Sequence, residues 1–204
     1  MIVRHKSFGT MGNNCYLIVD EQTNKSALVD CPEYNEKMEE LIGGTQLEYI
    51  LLTHGHFDHI IGTKEVKEKY QAKVVISAED EEMLTSGKLS LAVFCNAPQN
   101  NVDADIVVKD GDVINLGSIE IKVIATPGHT KGSVCYICEN YLFSGDTLFC
   151  SSCGRTDFPG GSAAEMMESL RRLKELDGNY EVMTGHEDLS NLDFERKNNP
   201  YMNM

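Results

Sequence analysis

One local pattern restricts the fold of this 204-residue chain more than any other: an apolar run, a glycine turn, then a histidine or an aspartate. The run at residues 47–53 leads into Thr53-His54-Gly55-His56-Phe57-Asp58-His59. Three later runs end in Thr126-Pro127-Gly128-His129, Ser144-Gly145-Asp146-Thr147 and Thr184-Gly185-His186. A glycine at a strand's end turns the backbone sharply and presents the neighbouring polar side chain there. The first string holds three of the six histidines. Given the chain's own composition, its His-x-His-x-Asp-His spacing would arise by chance roughly 3 times in 10,000.

Neutral imidazole and carboxylate are borderline ligands that suit zinc and iron. His54, His56, Asp58, His59, His129, Asp146 and His186 make five histidines and two aspartates. That is too many for one tetrahedral ion, and it suits two ions about 3.5–4 Å apart that share a carboxylate. Two divalent ions are therefore expected as cofactors, zinc first, with iron or manganese also accommodated.

Hydrophobic periodicity predicts strands at residues 2–8, 15–20 and 26–30 in a meander, a helix at 33–42, a strand at 47–53 and a helix at 60–70. A strand at 73–77 and a helix at 78–84 follow. Residues 85–104 form a connection too long to be purely structural, of the kind that shapes binding sites. Strands are then expected at 106–108, 119–125, 133–137, 141–144 and 181–184, with helices at 163–173, where Ser162 is the N-cap, and at 188–197. Two β-rich runs, each followed by helices, predict an α/β fold of two sheets packed face to face with helices outside, as one domain over residues 1–204.

Composition narrows the class of partner. Eighteen Lys and Arg stand against 32 Asp and Glu, a formal charge of −14 that repels nucleic acid. No window approaches the ~20 apolar residues of a membrane helix, and no signal-peptide pattern opens the chain. Seven cysteines, an odd number, then read as reduced thiols of a cytoplasmic protein. Cys150 and Cys153 have C-x-x-C spacing but no second pair for zinc. His5 reads as a hydrogen-bonding strand residue, Arg155 and Asp157 as a bracing pair, Glu36, Glu39 and Glu40 as an exposed face, and Glu79-Asp80-Glu81-Glu82 as a solvated helix start.

The order and context of these strings resemble the metallo-β-lactamase fold superfamily, especially its glyoxalase II (hydroxyacylglutathione hydrolase) branch. Besides the seven histidines and aspartates, the resemblance rests on Asn14-Cys15-Tyr16-Leu17, on Gly154-Arg155-Thr156-Asp157-Phe158-Pro159-Gly160-Gly161 and on Gly185-His186-Glu187 with Asn191-Leu192 and Phe194. It implies a four-layer αββα sandwich with metals at one edge. By position, it puts His54, His56 and His129 on a first metal, Asp58, His59 and His186 on a second, and Asp146 between them.

The activity so implied is hydrolysis of a small-molecule thioester by a hydroxide held between two metals, with Asp58 and Asp146 as catalytic residues and Asp58 orienting the water. A thiolate with a pKa near 8.5 leaves with little acid assistance. In the glyoxalase II pattern a basic helical portion that grips glutathione follows the last metal histidine, and the string 185–194 is shortened here, so the resemblance does not carry that grip over. A persulfide dioxygenase branch shares the string at residues 153–158 and would use one iron on His54, His129 and Asp146. A metal-stabilised binding module would keep the same ligands without an open coordination position.

Overall fold

The computed structural model describes residues 1–203. The first sheet contains β1 (Ile2–Phe8), β2 (Asn13–Val19), β3 (Lys25–Val29), β4 (Gln46–Leu51), β5 (Lys73–Ser77) and β6 (Ile106–Val108), side by side in chain order. The first three strands form the expected antiparallel meander, with His5 opposite Tyr16. From β3 onward the pairing is parallel. Parallel neighbours need crossovers, and α1 (Glu36–Ile42), α2 (Phe57–Ile60) and α3 (Thr63–Tyr70) lie in two of them.

The second sheet takes β7 (Val113–Leu116), β8 (Ile119–Ala125), β9 (Val134–Cys138) and β10 (Tyr141–Gly145). After a hairpin of β11 (Leu148–Phe149) and β12 (Ser152–Cys153), and after α4 (Ala163–Lys174), it adds β13 (Glu181–Thr184) and β14 (Ser190–Asn191). Its order is β14-β13-β10-β9-β8-β7, with β10 and β13 parallel. Helix α5 (Leu192–Asn198) follows.

Side chains alternate across a strand, and β2 uses both of its faces. Cys15, Leu17 and Val19 pack towards Met38, Leu41 and Ile42 of α1 and Val66 of α3. Tyr16 and Ile18 point the other way, into a core shared with Ile121, Val123, Val134, Tyr136 and Phe143 of the second sheet. The outer face of that sheet buries Ile124, Cys135, Ile137 and Leu142 under Met166, Leu170 and Leu173 of α4 and Leu192 of α5. Helix, sheet, sheet and helix are thus stacked with three apolar interfaces, the αββα sandwich that the sequence predicts.

Several boundaries differ from the sequence-based expectation. The helix expected at 60–70 begins only at Thr63, after a break at 61–62 where the Gly62 amide donates to the Cys31 carbonyl at 3.0 Å. The helix expected at 78–84 is only a 3₁₀ turn at Glu81–Leu84, and Asp80 is buried rather than solvated. Strand β7 is an additional edge strand, paired antiparallel with β8. The closing helix begins at Leu192, its N-terminus capped by the Asn191 side chain, because residues 190–191 pair with β13 instead. Ser162 caps α4 as expected, accepting from the Glu165 amide. All seven cysteines are free.

Candidate metal centre

The four polar strings meet where strands of the two sheets end. Thr53 to His56 follow β4, and Asp58 and His59 ride on α2. His129 follows β8, Asp146 follows β10 and His186 follows β13. Gly145 takes φ +48 beside the Thr53 side chain, so this sharp close approach demands glycine.

The structure brings all seven sequence-derived residues together in three overlapping groups with converging ligand atoms: His54, His56 and His129; His54, His59 and Asp146; and Asp58, His59 and His186. Asp146 faces both ends of the cluster. Its Oδ1 is 3.4 Å from His59 Nε2, and its Oδ2 is 3.5 Å from His129 Nε2 and 3.6 Å from His186 Nε2. Asp58 Oδ2 lies 3.4 Å from His186 Nε2 and 3.6 Å from His59 Nε2.

Outer hydrogen bonds determine which nitrogen of each ring faces inward. His129 Nδ1 donates to the Arg155 carbonyl at 2.8 Å and His186 Nδ1 to the Met11 carbonyl at 3.1 Å. A carbonyl only accepts, so both rings carry their proton outside and turn an Nε2 lone pair into the site. His59 Nδ1 likewise donates to Asp30 Oδ2 at 2.8 Å. The Thr53 hydroxyl donates to that carboxylate and receives His54 Nδ1 at 3.1 Å. His56 faces inward through Nδ1, 2.8 Å from His129 Nε2.

These contacts test whether cations fit. His59 Nε2 and His186 Nε2 face each other at 3.2 Å, where one ion could take both nitrogens in place of a shared proton. His54 Nε2 and Asp146 Oδ1 are buried without any hydrogen-bond partner. Orphaned buried acceptors are costly. The donor set is nitrogen and carboxylate oxygen, and cations between these atoms would satisfy all of them.

The protonation tendencies divide the histidines. Burial, reinforced by neighbouring histidines, holds His54 well below the ordinary value and His56 at about 3, so both rings stay neutral, as ligands must. Burial also opposes charge on His59, but Asp146, Asp58 and Asp30 surround it and raise it to about 10. Asp58 is held below the usual carboxylate range despite its burial, by His59, His186 and an Asn13 amide that donates to Oδ2 at 2.9 Å.

Residues outside the sequence-derived set build the frame. Asp30 is buried and accepts the Thr53 amide and hydroxyl and the His59 ring. Asp80, expected in a solvated run, accepts Gly55 N at 3.0 Å, Thr130 Oγ1 at 2.7 Å and Gly132 N at 2.9 Å, and so ties the loop of His54 and His56 to that of His129. A strand-terminal aspartate in Leu28-Val29-Asp30 was the one available signal for the first. Asp80 had none, because an acidic run looks the same whichever member is buried. His5 is the hydrogen-bonding strand residue expected, with Nε2 2.9 Å from Asn14 Oδ1. The Arg155 and Asp157 side chains pair with each other, while it is the Arg155 carbonyl that braces the site.

The family model of the metallo-beta-lactamase superfamily matches residues 8–186. An uncharacterized protein of Aquifex aeolicus is 34% identical over 98% of this chain and 97% of its own length. A hydroxyacylglutathione hydrolase of Rhodopseudomonas palustris is 35% identical over 84% of this chain, which spans 61% of that relative. Among solved structures, BLEG-1 B3 metallo-beta-lactamase superposes with a TM-score of 0.93 at 27% identity over all of both chains. TTHA1623 in a di-iron-bound form gives 0.86 at 28%, over 97% of this chain and 99% of that one. ETHE1 from Myxococcus xanthus gives 0.81 at 28%, over 98% and 84%.

Proposed function

Because the chain belongs to the metallo-beta-lactamase superfamily, mostly metal-dependent hydrolases, we propose that it hydrolyses small-molecule thioesters at a two-metal centre of glyoxalase II type. The observation that carries this reading is the doubled donor set. His54, His56 and His129 would hold one ion, Asp58, His59 and His186 a second, with Asp146 reaching towards both. Zinc, iron and manganese all suit this set, and the kinship with a protein solved in a di-iron-bound form favours none of them here. Two such ions, when bound, supply hydroxide at neutral pH and polarise a carbonyl.

The chain's own groups support a thioester as the substrate class. Four of the five site imidazoles commit their outer N–H to Thr53, Asp30, the Arg155 carbonyl and the Met11 carbonyl. Rings held in this way orient ligand lone pairs and are not free to shuttle a proton to a leaving group. A thiolate with a pKa near 8.5 needs no such proton, whereas an amide nitrogen does. Asp58 is kept ionised and fixed by Asn13, which suits it to orient a water molecule by accepting its hydrogen bond.

The test is elemental analysis of protein purified without added metal, together with turnover assays on thioesters and persulfides. About two metals per chain with thioester hydrolysis is the expected result. One iron per chain with oxygen uptake on a persulfide would replace this reading by the dioxygenase one. Metal without turnover of either would leave a metal-stabilised binding module.

A further inference from the structure

The cleft over the donors has a volume of about 570 Å³ and is walled by Met11, Leu91, Cys95, Phe149, Cys153 and Phe158. Phe158 stands edge-on to His56 with ring centroids 6.0 Å apart, and Phe149 edge-on to His186 at 6.1 Å. Each end of the metal centre is therefore flanked by one aromatic ring. Between the lining residues Leu91 and Cys95 the chain carries Val93 and Phe94, 68% and 66% exposed, on the long connection after the 3₁₀ turn.

Beyond the donors and the ions they would hold, the cleft offers an anionic carrier no free cationic side chain. Arg155 is its one basic lining residue apart from histidines. Its Nε and Nη2 both donate to Asp157 at 2.7 Å, and its guanidinium lies 3.9 Å from the centre of the Phe158 ring. Glu187 adds negative charge at the rim. Arg196, after β13, is used elsewhere and donates to the Lys174, Leu176 and Gly178 carbonyls beyond α4. Glu195 and Asn199 accept Ser151 N and donate to the Ser152 carbonyl, respectively, and so brace the hairpin that carries Phe149. The segment that follows His186 stiffens an apolar wall and supplies no cation to the cleft.

We propose that the substrates are uncharged thioesters whose groups beside the reacting carbonyl are apolar and are gripped between Phe149 and Phe158, and that carriers with carboxylates near sulfur, such as glutathione, are disfavoured. This inference rests on the thioester reading above. Its test uses the metal-loaded full chain with N-acetylcysteamine thioesters from acetyl to octanoyl and the matching glutathione thioesters. In the neutral series kcat/KM should rise about fourfold per methylene until the cleft is filled, the factor that burial of one CH₂ gives. At equal acyl length the neutral carrier should exceed glutathione by about tenfold or more, because a carboxylate that docks without a partner side chain loses its water uncompensated. Phe149→Ala and Phe158→Ala should flatten the chain-length dependence of kcat/KM, chiefly by raising KM for the longer acyl groups. A flat neutral series, or a glutathione series that outruns it, overturns this inference and leaves the thioester reading standing. Metal-loaded protein that turns over no thioester overturns both. The comparisons on the unmutated protein decide the matter even where a variant misfolds.

Discussion

Asp30→Asn is the sharpest test of how the centre is held together. Asp30 adopts φ +57, a left-handed conformation that asparagine tolerates well, so the backbone need not move. Its Oδ1 accepts the Thr53 amide, and its Oδ2 accepts both the Thr53 hydroxyl and His59 Nδ1, each at 2.8 Å. An amide in its place can keep one of these two sides. If its oxygen stays on the Thr53 amide, its NH₂ confronts His59 Nδ1–H. His59 must then move its proton to Nε2, the atom that faces Asp146 and Asp58, and so ceases to offer a lone pair there. A hydrogen bond to a charged group contributes about 1.5–3 kcal/mol. That agrees with the 10- to 100-fold, about 1.4–2.8 kcal/mol, by which second-layer partners typically change metal affinity. Competition with a chromophoric chelator should therefore show the ion on the His59 side weakened by about that factor and the other changed less, with an unchanged far-ultraviolet circular dichroism spectrum. Equal affinities in mutant and parent would refute the claim that Asp30 sets the His59 tautomer.

Further predictions follow from the same geometry. In the metal-free protein the His59 pKa is raised from 6.5 to about 10, with burial opposing and three aspartates prevailing. A raised folded-state value means that its stabilising proton is fully present below about 6.5 and lost as pH climbs through about 10. A divalent ion must displace that proton, so binding near pH 8 should release about one proton from this ring, read by calorimetry in buffers of differing ionisation enthalpy; buffer-independent heats would contradict it. Asp146→Ala should lose turnover and at least part of the bound metal by elemental analysis, and retention of both would remove this carboxylate from the site. Tyr136→Phe, which leaves the Leu52 carbonyl without the phenol that reaches it at 2.9 Å across the sheets, should cost about 1 kcal/mol and lower Tm by about 2–4 °C in a thermal melt.

The sequence by itself determined the layered architecture and the identity of the seven converging side chains. Both are written locally: β2 alternates because a strand has period two, and each histidine or aspartate follows an apolar run with glycine nearby. Where an element's ends depend on neighbours, that local signal fails. The helical pattern is interrupted at Gly62 only because the Cys31 carbonyl takes its amide. Residues 190–191 become a strand only because β13 offers an edge.

Tertiary structure alone decided which groups orient the metal-facing rings. The acceptors are the Arg155 and Met11 carbonyls, Thr53 and the buried Asp30, and Asp80 joins two loops whose sequences lie 75 residues apart, from Gly55 to Thr130. A backbone carbonyl has no residue type to read, and an aspartate looks the same in sequence whether it is solvated or encloses three donors. Packing makes that distinction, because a carboxylate gains by burial only when the folded chain brings enough N–H and O–H groups to it.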